Sequence, residues 1–151
     1  MTAAAYAVAR LDDLPSIDLD GAIDWKPIQH YFQLTAFGLN LYRATDAGVE
    51  LIAAHDETAD RHEEIYFVLV GVVTFQVEGE TFICEPSSVV VVKDPTVRRQ
   101  AVAETADAAV LAVGNRQSAS FKSTWDPKHF RGVATHDQVT GYRAGTAMPT
   151  P

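Results

Sequence analysis

Three side chains able to bind polar groups or move protons stand at alternate positions in the segment HEEIYFVLVG: His62, Glu64 and Tyr66. In an extended strand, residues two apart share a face, so an imidazole, a carboxylate and a phenol point the same way, with Val68 continuing the row. Such a face can hold a small polar molecule or pass a proton, the imidazole being the group that titrates near neutral pH. Glu63 falls on the opposite face and is expected to be solvated. To hold this face, the chain must run as a strand from His62, reverse at Gly71, return as VTFQV, and reverse again at Glu78-Gly79-Glu80.

The whole chain has 151 residues, 47% of them hydrophobic, which suits one domain with one sizeable core. A formal charge of −8 argues against nucleic acid or an anionic membrane surface as partner, because the only adjacent basic pair is Arg98-Arg99. The single Cys84 excludes an intrachain disulfide, and the N-terminal stretch has no basic region followed by an apolar one. No run approaches the ~18 apolar residues of a membrane span. A cytoplasmic protein is expected.

Residues 1–27, broken by Pro15 and Pro27, read as an N-terminal arm with at most short strand or turn pieces. Ile28 to Tyr42 is dense in aromatic and aliphatic residues and reads as two short strands about Gly38, with a helix as the alternative. Strands are expected over Val49 to His55, through the two reversals to Cys84, and over Val97 to Val102 and Ala108 to Val113. The run Val89 to Val92 is expected to be a strand covered on both faces, since a half-exposed strand would alternate. Strands at this spacing, separated by Gly, Pro and Asp turns, give an all-β sandwich or barrel over 28–115. Residues 116–151 read as an irregular C-terminal tail, with Trp125 and Phe130 docked on the body and a frayed end.

HEEIYFVLVG followed by VTFQVEGE resembles the first motif of the cupins, which ends in Glu, six residues, Gly, here Glu64 to Gly71. PSSVVVVKDPTVRR resembles the second motif. AFGLNLY, the HDE of His55 to Glu57, DPTVRR and VLAVG extend the likeness to a subgroup of single-domain bacterial cupins of unassigned role. The resemblance implies a double-stranded β-helix barrel. It also implies a metal site of three His and one Glu, but the positions of the His-x-His pair fall on Thr58 and Asp60, or on Glu57 and Ala59. The second-motif His, counted from the turn, falls on Arg98, which has donors only and cannot ligate a cation.

Two arrangements could neutralise Glu64. If the loop before the hairpin is longer than usual, His55 and Glu57 join Glu64, with His62 nearby, as a His/carboxylate set for one divalent transition metal such as Zn, Fe, Ni or Mn. Otherwise Arg98 pairs with Glu64 across the barrel and presents a free edge to a ligand carboxylate or enolate, Glu64 and Arg98 then forming the substrate site. Arg99 is expected to alternate outward. Tyr31, Phe32, Phe37 and Tyr42 read as packing, and Cys84 as a small buried residue. No nucleophile elbow, phosphate loop or dinucleotide fingerprint is present. Two functions follow: a cupin that binds a small polar molecule, or a small cupin enzyme. The enzyme would be either a metal-dependent oxygenase or isomerase through His55, Glu57 and Glu64, or a metal-free isomerase or lyase through His62, Glu64 and Tyr66. A homodimer paired through edge strands is expected in either case.

Overall fold

The computed structural model describes residues 5–117, 124 and 126–134. These contain ten strands in two antiparallel sheets that face each other across one core. The strands are β1 (Ile17–Leu19), β2 (Ile23–Lys26), β3 (Gly38–Ala44), β4 (Glu50–His55), β5 (His62–Val70), β6 (Val73–Val77), β7 (Glu80–Cys84), β8 (Val89–Val92), β9 (Arg99–Ala103) and β10 (Ala109–Arg116). One sheet runs β1-β2-β3-β10-β5-β8 and the other β4-β9-β6-β7.

The hairpins form where the turn chemistry demands. Between β6 and β7, Glu78 (φ 52°) and Gly79 (φ 81°) both lie in the left-handed region, as a two-residue hairpin turn of the right twist requires. At Gly71 (φ 69°), a Cβ would stand 2.9 Å from Ala108 Cα and against Thr105 Oγ1, so the β5 exit admits no larger residue. Alternation then fills the interior. Tyr66 and Val68 of β5, Val73 and Phe75 of β6, Ala101 and Ala103 of β9, and Val110 of β10 are all 1% exposed or less. Alanines on β9 leave room for the aromatic rings opposite, and Tyr66 and Phe75 meet with ring centroids 5.7 Å apart.

The region 28–42 departs from the two-strand expectation. Ile28–Phe32 is a helix (α1), and only from Gly38 does the chain become a strand. Pro27 stands at its entrance, and Gln33 closes it in the left-handed conformation, its N–H donating to the carbonyls of Gln29 and His30. Ile28 and Phe32, four apart on one face, pack with Leu14 on Leu39, Leu41, Ala109 and Leu111. Aromatic density alone could not distinguish this turn of helix from a strand.

The arm is more ordered than an irregular lead-in. Its β1 and β2 form a hairpin that pairs onto β3, Trp25 stacks on Tyr42, and the buried Lys26 donates to Leu14 O (3.0 Å) and Ser16 Oγ (2.9 Å). The Val run is a strand but departs from the expected covering: among the described residues β8 pairs only with β5, and Val89 and Val91 are 53% and 54% exposed while Val92 is buried. Four identical residues hide an alternation that the sheet edge restores.

Met1–Gln117 forms one compact unit and Ser118–Pro151 a second. In the second, Asp126 caps a short 3-10 helix, Pro127–Phe130, by accepting from the Lys128 N–H at 2.9 Å. Trp125 and residues 147–151 lie outside the described residues.

Candidate functional site

The end of β4, the loop after it, the start of β5 and the start of β9 meet at one mouth of the barrel. Cross-strand register puts His55 opposite Arg99, and Glu64 between Val92 of β8 and Gly114 of β10. Residues 56–61 connect His55 to His62 in a tight loop. Asp56 accepts from the Thr58 N–H at 3.0 Å, which holds its carboxyl below the ordinary range, and the Glu57 N–H donates to Pro95 O at 2.8 Å. That anchorage turns the Glu57 side chain back toward the mouth.

Glu64 is the inner carboxylate. Its Oε2 accepts from Arg99 Nη2 (2.5 Å), Arg99 Nε (3.2 Å) and the Tyr66 hydroxyl, so three donors converge on one oxygen. Arg99 Nη1 donates to Val97 O at 2.8 Å, and the Arg99 side chain is fully buried. Removing one partner from a buried pair of this kind costs about 3–5 kcal/mol, because the other charge is stranded. Burial works against the Arg99 charge, yet its hydrogen bonds to Tyr66 and Glu64 hold its pKa above the ordinary arginine value. Burial first, and then the Glu64 charge, push the Tyr66 phenol well above its usual range, so it serves as a hydrogen-bond donor that keeps its proton. The same two causes, in the same order, raise Tyr42.

Glycine at 114 makes room for this carboxylate. A Cβ there would stand 3.1 Å from Glu64 Cγ, tighter than ordinary van der Waals contact, so a side chain at 114 would push Glu64 aside.

The outer groups are His55, Glu57 and His62. Glu57 reaches both imidazoles: its Oε1 is 3.3 Å from His55 Nε2 and its Oε2 is 3.1 Å from His62 Nδ1. His55 Nε2 is also 3.9 Å from Glu64 Oε2, while its Nδ1 lies 2.6 Å from Ala53 O. A carbonyl can only accept, so Nδ1 carries a hydrogen toward Ala53 O, and Nε2 faces the two carboxylates. His55 and His62 are 35% and 39% exposed at the side chain, against 16% for Glu57 and 15% for Glu64. The mouth is wet and the pair beneath it is dry.

The sequence-derived residues are therefore placed as follows. His55, Glu57 and Glu64 come together, their ligand atoms within 4.8 Å of one another, and Glu57, Asp60 and His62 form a second group that shares Glu57. Tyr66 meets Glu64, but His62 pairs with Glu57 instead of completing a trio with them. The expected Arg98–Glu64 pair is corrected: Arg99 makes it. Arg98 is exposed, its N–H donating to Glu78 Oε1 (3.0 Å) and its Nη2 to Ala54 O (3.3 Å). Asp94 closes a turn, accepting from the Thr96 N–H (2.9 Å) while its own carbonyl accepts from the Val97 N–H (3.1 Å), so the strand begins one residue later than a count from the turn suggests. The alternation Arg99, Ala101, Ala103, with the small residues facing the crowded interior, carries the signal that would have found it.

The three-His, one-Glu metal set is not assembled at this mouth; one histidine and two carboxylates converge instead. A divalent ion held on Glu64 about 4 Å from the Arg99 guanidinium would meet about 8 kcal/mol of repulsion at an effective dielectric constant of 20. The donor types suit a cation, and the guanidinium beneath them weakens the hold of the two carboxylates on a divalent one. Surface grooves of about 380 Å³, between Arg10–Asp12 and Leu69–Val70, and about 270 Å³, beside Asp18 and Asp24, involve none of these residues.

No protein-family model matches the chain, and no curated protein does. Solved structures do. KdgF from a Halomonas species is similar with a TM-score of 0.59 and 22% identity, over 70% of this chain and 90% of that one. A cupin from Bacteroides fragilis is similar with a TM-score of 0.60 and 16% identity, over 80% and 92%. A sugar phosphate isomerase of the cupin superfamily from Silicibacter pomeroyi is similar with a TM-score of 0.55 and 20% identity, over 64% and 61%. These likenesses show the fold: the chain has a cupin-type barrel fold.

Proposed function

We propose, on the premise of a cupin barrel, that this protein binds a small polar molecule at the mouth formed by His55, Glu57, His62 and Glu64, above a built-in counter-ion, Arg99. The observation that carries this reading is the Arg99–Glu64 ion pair, at 2.5 Å with the guanidinium fully buried. It fixes the position of Glu64 at the base of the mouth and leaves the outer groups partly open to solvent. Arg99 itself is enclosed and offers no free edge, so it orients Glu64 and does not touch the ligand.

A screen of small polar metabolites by two-dimensional amide NMR tests this. Ligand-induced shifts are expected in residues 53–64 and 97–99. Shifts confined to the surface grooves near Arg10 or Asp18 would overturn it.

A second reading, a metal-dependent enzyme, is favoured by the convergence of His55 Nε2, Glu57 and Glu64. In it those three side chains hold a divalent ion, which would supply Lewis-acid or redox chemistry to a bound substrate. Metal analysis of tag-free protein separates the two: near one equivalent of Zn, Fe, Ni or Mn, lost in His55→Ala, favours the enzyme. Less than a tenth of an equivalent favours the binding protein.

A further inference from the structure

Arg99 and Tyr66 occupy one oxygen of Glu64 and leave the other. Glu64 Oε1 accepts from no group among the described residues, and it lies over Gly114, 3.5 Å from where a Cβ would stand. Cross-strand register then leads from Gly114 to β3. Gly38 pairs beside Gly114, and Asn40 beside Ala112, which has Tyr66 on its other side. Directly opposed residues share a face, so Asn40, and Tyr42 two residues on, project on the same inner side as Glu64 and Tyr66. Tyr42 packs against the core of that side.

The polar groups of this wall are unspent. The Trp25 indole N–H donates to Asn40 Oδ1 at 2.9 Å. An indole can only donate, so the amide oxygen faces Trp25 and the amide N–H groups are left over. Neither they nor the Tyr42 hydroxyl have a partner among the described residues. The one buried side-chain oxygen or nitrogen among those residues that lacks a partner is Asp24 Oδ1, so Asn40 Nδ2, the Tyr42 hydroxyl and Glu64 Oε1 all reach solvent. Burial, and then the Glu64 charge, raise the Tyr42 phenol, which puts the two groups within electrostatic reach across β10. An unspent acceptor thus stands across from two unspent donors. The backbone strip between them is two strand spacings wide, about 9.5 Å. Gly38, Gly114 and Ala112 put nothing longer than a methyl on it.

We infer that the inner faces of β3 and β10 continue the binding site, with Asn40 Nδ2 and the Tyr42 hydroxyl donating to a neutral polyhydroxylated ligand and Glu64 Oε1 accepting from it. The inference rests on the binding reading above and names its ligand class. A hydroxyl both donates and accepts, so one kind of group answers both sides of the strip. Arg99 already stands against Glu64, and both donors are uncharged, so this part of the site calls for no ligand charge.

Titration of glucose, fructose and myo-inositol into the full-length protein tests this, with two-dimensional amide signals as readout. At least one is expected to shift residues 38–42 and 112–114 together with 62–66. Its affinity should fall about threefold to tenfold in Tyr42→Phe and in Asn40→Asp, one hydrogen bond each, and stay unchanged in Arg98→Ala. Tyr42→Phe removes a hydroxyl that no described protein group uses, so its thermal midpoint should match the parent's and the loss should show in binding alone. Asn40→Asp keeps an oxygen for Trp25 and removes the donor, its folding checked by the unchanged amide signals of β6 and β9. Shifts confined to residues 53–64, with parent affinity in both variants, would overturn the inner-wall inference and leave the binding site standing. Absence of shifts with all three polyols would overturn the inference as well. If the metabolite screen also leaves residues 53–64 and 97–99 unmoved, the binding reading falls with it.

Discussion

The inner and outer halves of this barrel mouth each centre on one glutamate and differ in what surrounds it. Inside, one carboxylate, one guanidinium and one phenol are tied together: Glu64 Oε2 takes three donors, and Arg99 and Tyr66 are almost wholly buried. Outside, one carboxylate spans two imidazoles that remain more than a third exposed. A buried hydrogen-bonded network fixes geometry, whereas partly exposed groups can exchange their partners for water or a ligand. The difference gives stability to the inner group and, on the proposed reading, ligand recognition to the outer one.

The largest effect should come from breaking the inner pair. Arg99→Met is expected to lose about 3–5 kcal/mol in urea unfolding, with a large part recovered in Arg99→Met/Glu64→Gln, because the double variant strands no charge. An Arg99→Met protein as stable as the parent would show that the inner group is not a buried ion pair at all. Tyr66→Phe should cost about 1.5–3 kcal/mol, the range for a hydrogen bond to a charged group.

That variant also carries a pH signature. The Tyr66 phenol is raised in the fold, so the stabilisation is fully present below the ordinary tyrosine value of about 10 and is lost as pH rises above it. The parent should therefore lose stability above pH 10 more steeply than Tyr66→Phe, as followed by thermal midpoints across an alkaline series. Gly114→Ala is expected to cost about 1–3 kcal/mol through its contact with Glu64, again by urea unfolding. The smallest effect belongs to the outer half: Glu57→Gln should change stability by no more than about 1 kcal/mol while altering ligand binding. A large stability loss there would erase the distinction between the two halves.

Much of the inner half was legible in the sequence. The strand from His62, the reversals at Gly71 and Glu78-Gly79, and the shared face of Glu64, Tyr66 and Val68 all follow from period-two alternation and from turn residues tolerant of positive φ. The meeting of His55, Glu57 and Glu64 followed from spacing and one assumption about loop length. The guanidinium was assigned one residue early, because a strand's inward face depends on where a turn ends, and the Asp94–Val97 turn ends one residue late. Ile28–Phe32 was misread because aromatic residues suit a strand as well as a short helix, and only packing on Leu41 and Leu111 decides. Val89–Val92 is the expected strand, but its covering on both faces was misread because composition reports hydrophobicity and not position within the sheet. Tyr42, whose phenol responds to the Glu64 charge, could not be separated from packing aromatics without knowing that β3 lies beside β10.

Gly114 reaches beyond the energetics of one contact. Its lack of a side chain is the imprint of the Glu64 stem on the neighbouring strand, so the two positions are expected to drift together among relatives of this chain. Where the acid at 64 has been lost, the space opposite is released and larger residues become admissible at 114; where glycine persists at 114, the acid should persist too. This pair of positions thus offers a fingerprint for sorting barrels that keep a charged interior from those refilled with hydrocarbon.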